Sequence, residues 1–163
     1  MPKYLYFILT LILILFSGCS SSKEQNVQVT KEMNEIITNH IKEHYKNVYH
    51  SGDRQFEAHK VYGAKENRGI VSIYIFSVYK EYRKDEPTER SGHSLPALVK
   101  LKKDGDTYKV IKYREPEDGS LYARSIKKMF PKEFAKQASL DAGNVPELHE
   151  QIDEEVQKWL KEE

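Results

Sequence analysis

Ile70-Val71-Ser72-Ile73-Tyr74-Ile75-Phe76-Ser77-Val78-Tyr79 decides the fold, because it is apolar on both of its alternations. Ile70, Tyr74, Phe76 and Val78 share one side, and Val71, Ile73, Ile75 and Tyr79 share the other. A strand with two apolar faces has to be covered on both, so Gly69 to Arg83 is predicted as the central strand of a sheet. Outward from it, β-branched and aromatic residues recur in Phe56 to Tyr62, Leu95 to Lys102 and Thr107 to Arg114, which are read as its companions. Glu66-Asn67-Arg68-Gly69 and Asp104-Gly105-Asp106 join them, with Gly and Asn able to take positive φ. Connections this short demand antiparallel pairing, since a parallel crossover takes about a dozen residues or more. In the third strand Leu95, Ala97, Val99 and Leu101 oppose Pro96, Lys100 and Lys102, so one face is expected to meet water, with Pro96 at the strand's first position.

Upstream, Met33, Ile36, Ile37, His40, Ile41, His44, Tyr45 and Val48 recur at three- and four-residue spacing behind Thr30, whose hydroxyl suits an N-cap. They predict one amphipathic helix, ended by Ser51-Gly52-Asp53. His40 and His44 stand one turn apart on its apolar side, a spacing that can hold zinc when a third ligand arrives from elsewhere. The segment lacks the Glu of an H-E-x-x-H pattern, so the expected role is a helix–sheet contact, and neither a metal nor another cofactor is expected. Downstream, Glu115-Pro116-Glu117-Asp118-Gly119 reads as a turn. Leu121, Tyr122, Ile126, Met129 and Phe130 fit a short helix, and Pro131 begins a further turn continued by Phe134 and Ala138. Pro146 opens a last helix with Leu148, Ile152, Val156, Trp159 and Leu160 on one stripe. The expected architecture is α+β: an N-terminal helix, a four-stranded antiparallel meander and two or three C-terminal helices, cystatin-like in its order. One helix on one face would leave the other face and the C-terminal helices to form a groove, where ligands usually bind.

The first residues are a different material. Lys3, an apolar run from Leu5 to Phe16 and the small Ser17 and Gly18 precede Cys19, the chain's one cysteine. The run is shorter than the roughly 20 residues of a membrane span, and small residues suit a peptidase cleft. Residues 1–18 are therefore expected to be a lipoprotein signal peptide cut between Gly18 and Cys19, with a diacylglycerol on Cys19. Residues 19–30 would be a flexible tether, opening with Ser20-Ser21-Ser22-Lys23-Glu24-Gln25, and 31–163 a single domain. The expected place is the outer, extracytoplasmic face of the cell membrane. With no second cysteine, an intramolecular disulfide and thiol catalysis are both excluded.

Cleavage takes away one of 26 bases, Lys3, and leaves 25 against 25 acids. No bulk charge draws such a body to nucleic acid or anionic lipid, and nucleic-acid partners are not expected. Locally, Val99 to Arg114 is basic and Glu147 to Glu163 acidic, read as solvated faces that attract each other.

Catalytic signals are sparse. Ser91-Gly92-His93-Ser94-Leu95-Pro96, expected as a loop entering the third strand, sets a serine two residues from a histidine, which is not how a nucleophile meets its base. His149-Glu150-Gln151-Ile152-Asp153 puts Asp where a zincin needs its second His.

Three runs carry a resemblance: Ser91-Gly92-His93-Ser94-Leu95-Pro96-Ala97-Leu98-Val99, Tyr113-Arg114-Glu115-Pro116-Glu117-Asp118-Gly119-Ser120-Leu121-Tyr122-Ala123, and Ser125-Ile126-Lys127-Lys128-Met129-Phe130-Pro131. Together they resemble an uncharacterised small-lipoprotein family of Bacillus-type bacteria, similar to an extracytoplasmic domain appended to BlaR-like membrane metallopeptidase sensors. The resemblance spans roughly Phe56 to Ala138 and lacks the peptidase part, so it implies an exported accessory or sensing module and transfers no catalytic residue. The leading expectation is a non-enzymatic binding or regulatory lipoprotein whose partner is a membrane protein or envelope component. Its recognition residues would be Tyr79, Tyr82, His93, Tyr113, Asp118 and Tyr122, where aromatic side chains and loop positions coincide. Two alternatives stand beside it: an envelope hydrolase using His93 and Asp118, and a purely structural or immunity-type lipoprotein.

Overall fold

Thr30 does what its hydroxyl suggested: its Oγ1 accepts from the Met33 amide at 3.2 Å and its carbonyl from the Asn34 amide at 3.1 Å, starting a helix. A computed structural model of the chain describes residues 24–49, 52–141 and 145–162. In chain order it contains β1 (Gln25–Asn26), α1 (Lys31–Tyr49), β2 (Arg54–Asn67), β3 (Ile70–Tyr82), β4 (Glu89–Asp104) and β5 (Thr107–Arg114). A 3₁₀ turn (Gly119–Leu121) leads into α2 (Tyr122–Met129), α3 (Lys132–Asp141) and α4 (Pro146–Leu160). The strands form one antiparallel sheet in the order β1-β2-β3-β4-β5, so the fold is α+β with five strands rather than four.

The β2–β3 hairpin turns on Arg68 and Gly69, with φ of 51° and 74°. Two successive positive φ values match the right-handed twist of the flanking strands, so a two-residue turn suffices. β3 is central, and every residue from Val71 to Tyr82 is buried. α1 covers one face through Met33, Ile37, Ile41 and Tyr45, set at i, i+4 spacing against Val71, Ile73, Ile75, Tyr79, Val99 and Leu101. Full burial of Ile37 and Ile41 contributes about 1.5–3 kcal/mol each and anchors the helix. α2, α3 and α4 cover the opposite face, packing Ile126, Phe130, Leu148, Ile152 and Trp159 on Phe56, Tyr74, Phe76, Tyr82 and Leu98.

Several expectations are corrected by this arrangement. The groove foreseen between the sheet and the C-terminal helices is filled by that second core. The tether expected through residue 30 is shorter, because Gln25 and Asn26 pair with Glu66 and Lys65, and Val27 and Val29 pack on the α1 core. Ser91 to Pro96 is not a loop: Ser91, Gly92, His93 and Ser94 pair with Glu81, Lys80, Tyr79 and Val78 inside β4. Pro96 therefore lies mid-strand, tolerated because β5 stops pairing at Leu98 and leaves β4 an edge there. The wet face of β4 is confined to its Lys100–Lys102 end, since Pro96 and Leu98 are buried. The expected signal peptide, with Gly18 and the expected lipidation site Cys19, lies outside the described residues.

Candidate functional site

The residues expected to form a recognition surface are dispersed. Tyr79, His93 and Tyr113 lie on the α1 face, Tyr82 is buried in the opposite core against Phe56, and Tyr122 and Asp118 are exposed beyond β5. Tyr79 is fully buried, its hydroxyl donating to Glu81 Oε1 at 2.6 Å, so burial and that bond push its phenol up. Neither ring nitrogen of His93 has a hydrogen-bond partner among the described residues, Asp118 included, so the His93–Asp118 pair required by a hydrolase does not form. His93 is instead packed 4.1 Å from the Tyr45 ring and stacked 5.5 Å from Tyr79. Burial brings its pKa down to about 4, against the raising charge of Glu57. Tyr113 is pushed up by burial as well, with its ring between those of His40 and His44, at 5.7 and 5.3 Å. His40 and His44 stack at 6.3 Å, and among the described residues no set of three His, Cys, Asp or Glu is placed to hold a metal ion.

The site that the sequence did not announce lies at the other edge. β1 covers β2 only near Lys65 and Glu66, so from Arg54 to Gly63 the outer edge of β2 has no neighbouring strand among the described residues. α1 walls this edge on one side and α4 on the other. Between them opens a cleft of about 560 Å³, lined by Lys31, Asn34, Glu35, Thr38 and Asn39 of α1, Glu57, Ala58, His59 and Val61 of β2, and Gln151 of α4.

Its floor is a buried hydrogen-bonded network around Glu57. The Glu57 side chain is 0% exposed and that of His59 5%. Glu57 Oε2 accepts from Thr38 Oγ1 at 2.7 Å, and Oε1 accepts from Ser77 Oγ at 2.9 Å. His59 Nδ1 lies 3.2 Å from both carboxylate oxygens, and Nε2 lies 3.0 Å from Asn34 Oδ1. Burial pushes the Glu57 carboxyl up, yet these hydrogen bonds and the imidazole outweigh it, and the net direction is down. Glu57 therefore stays ionised and fully engaged, the second nitrogen of His59 is taken up by Asn34, and the one hydroxyl lining the cleft serves Glu57. This arrangement offers no free base and no activated nucleophile. It is instead a rigid, polar floor beneath an open strand edge.

A second buried carboxylate, Glu81, accepts from Tyr79, from the Gly52 amide at 3.0 Å and from Ser91 Oγ at 3.2 Å, pinning the α1–β2 connection to β3 and β4. Glu57→Gln keeps the shape of the first network and removes its charge. It is expected to cost about 2 kcal/mol at pH 7, the range for hydrogen bonds to a charged group, as read from the urea midpoint. An unchanged midpoint would show that the pair contributes nothing.

The chain matches no protein-family model, no curated protein and no solved structure, so the functional argument rests on this geometry.

Proposed function

We propose that the protein is a non-enzymatic binding module, held at the outer face of the cell membrane by a lipid on Cys19. It takes an extended peptide segment of a membrane or envelope protein along the free edge of β2. The observation that carries this reading is that edge, without a neighbouring strand from Arg54 to Gly63 among the described residues, whose Glu57–Val61 part lines the α1–α4 cleft. Unpaired backbone groups on an edge strand bind an added strand through main-chain hydrogen bonds, while flanking pockets select side chains. The inward-pointing Glu57 and His59 and the register shift between Val61 and Gly63 are devices that discourage indiscriminate sheet pairing. No described helix is long and apolar enough to cross a membrane, and the lipid supplies the attachment in this reading. The resemblance to a domain of BlaR-like sensors accords with a regulatory partner.

A photo-crosslinking amino acid at Asn39, in the cleft wall, is expected to trap one discrete envelope protein in cells. The same probe at Lys109, on the opposite edge strand, is expected to trap none. Equal adducts at both positions, or none at either, would remove the cleft from consideration. Labelling with an acyl-chain analogue, lost in Cys19→Ser, tests the anchor separately.

A further inference from the structure

From Gly119 to Leu140 the chain carries five bases, Arg124, Lys127, Lys128, Lys132 and Lys136, against one acid, Glu133. All five are exposed, and none of them joins an ion pair among the described residues. Glu133 is taken up by Lys65 at 3.0 Å. A body balanced overall thus presents an uncompensated basic surface on α2 and α3, besides the basic β4–β5 end. The same short stretch holds Leu121, Tyr122 and Leu140, three of the five large apolar side chains left exposed among the described residues, and Leu140 is 75% exposed. Lys132, Lys136 and Leu140 stand at i, i+4 and i+8, one stripe of α3, beside a cleft that Lys127 of α2 closes on its far side.

We infer that this surface docks on the anionic phospholipid bilayer itself. Bases alone would fit any soluble anion, and apolar groups alone any greasy partner. Their mixture on one helix face fits an interface where leucine enters the acyl boundary and lysines lie along it with their ammonium groups at the phosphates. The position of the tether supplies an independent argument. Lys65 Nζ lies 3.7 Å from Glu24 and 3.0 Å from Glu133, so the chain enters the fold beside the first turn of α3. The five residue steps from Cys19 to Glu24 span at most about 18 Å, so a lipid on Cys19 would hold α3 close to the bilayer. Docking would orient the β2 cleft in a fixed direction relative to the membrane instead of leaving it to swing.

The inference extends the membrane-anchored reading, yet its test does not depend on acylation. Every described element and both cores lie within residues 24–162, so a chain starting at Ser20, without leader or lipid, retains the fold. Flotation with phosphatidylglycerol-containing vesicles is expected to bind it at least about tenfold more strongly than phosphatidylcholine vesicles, less so in high salt. The triple variant Lys127→Glu, Lys132→Glu, Lys136→Glu is expected to lose more than about a hundredfold, at about fivefold per base. Leu140→Ser should lose several-fold at an unchanged thermal midpoint. Equal partition onto both vesicle types, or a triple variant that floats like the parent, would overturn the inference. So would full competition by soluble glycerol phosphate, which would make this a phosphate site and not a bilayer face.

Discussion

Gly92→Ala is expected to abolish folding or to lower stability by about 4 kcal/mol or more, although it adds a single methyl group to a strand. A Cβ on Gly92 would overlap the backbone carbonyl oxygen of Tyr79, well inside the 3.0 Å that real Cβ atoms keep. A backbone oxygen in the central strand cannot swing aside as a side-chain tip would. Relief requires β4 to lift away from β3 at the Gly92–Lys80 pair, next to the register shift between Glu81 and Tyr82. That movement would also pull Ser91 from Glu81 and His93 from the Tyr79 ring. Gly105→Ala is the matched control: its φ of 65° makes alanine mildly strained, but nothing lies within 4 Å of the new methyl. It should cost only about 1–2 kcal/mol. Urea denaturation followed by circular dichroism separates the two. Similar midpoints for both variants would mean that β4 moves away freely, and the steric argument would fail.

What the sequence showed of this fold follows from where its periodicities were clean. The double alternation of β3 and the i, i+4 spacing of α1 reflect burial against many partners, and both were legible from residue types alone. The two residues of β1 have no period to read, and they pair only because β2 extends to Asn67. Ser91, Gly92 and Pro96 are residues of turns, and they masked the first half of β4; Gly92 is there because strands approach closely, a tertiary fact without local signature. The cleft was hidden for a related reason. Glu57 and His59 alternate with Phe56 and Ala58, so a strand pattern reads them as the wet face, whereas α1 lies over them and they are buried against it. One signal was present: Ser77 interrupts the apolar run of the central strand, and its hydroxyl needs a buried acceptor, which is Glu57. The tyrosines singled out as recognition residues were chosen by type, and Tyr79 and Tyr82 serve the two cores instead.

His93 should make the protein acid-sensitive over a window set by its own burial. Its ring packs against both Tyr45 of α1 and Tyr79 of β3, with no partner for either nitrogen among the described residues, and burial brings its pKa from 6.5 down to about 4. Between those values the unfolded chain binds a proton that the folded chain refuses. Stability from this group is therefore complete above pH 6.5 and drains away as pH falls towards 4, amounting to about 3 kcal/mol. His40, lowered by burial and by His44, adds a contribution of the same sign. Glu57 acts elsewhere on the scale: its carboxyl is held below 4.5, so its stabilisation is lost only as pH falls beneath that value. His93→Phe keeps a flat ring against the two tyrosines and discards both unpartnered nitrogens. At pH 7.5 it is expected to be about 1 kcal/mol more stable than the parent, since a buried polar atom without a partner is costly. Near pH 4.5 the gap should widen by a further 2 kcal/mol or about that, as the parent loses the His93 contribution and the variant, which keeps His40, does not. Urea midpoints measured across this range give both curves. If they run parallel, the folded protein accepts the proton on His93 without penalty, and the packing of His93 against Tyr45 and Tyr79 is looser than its geometry indicates.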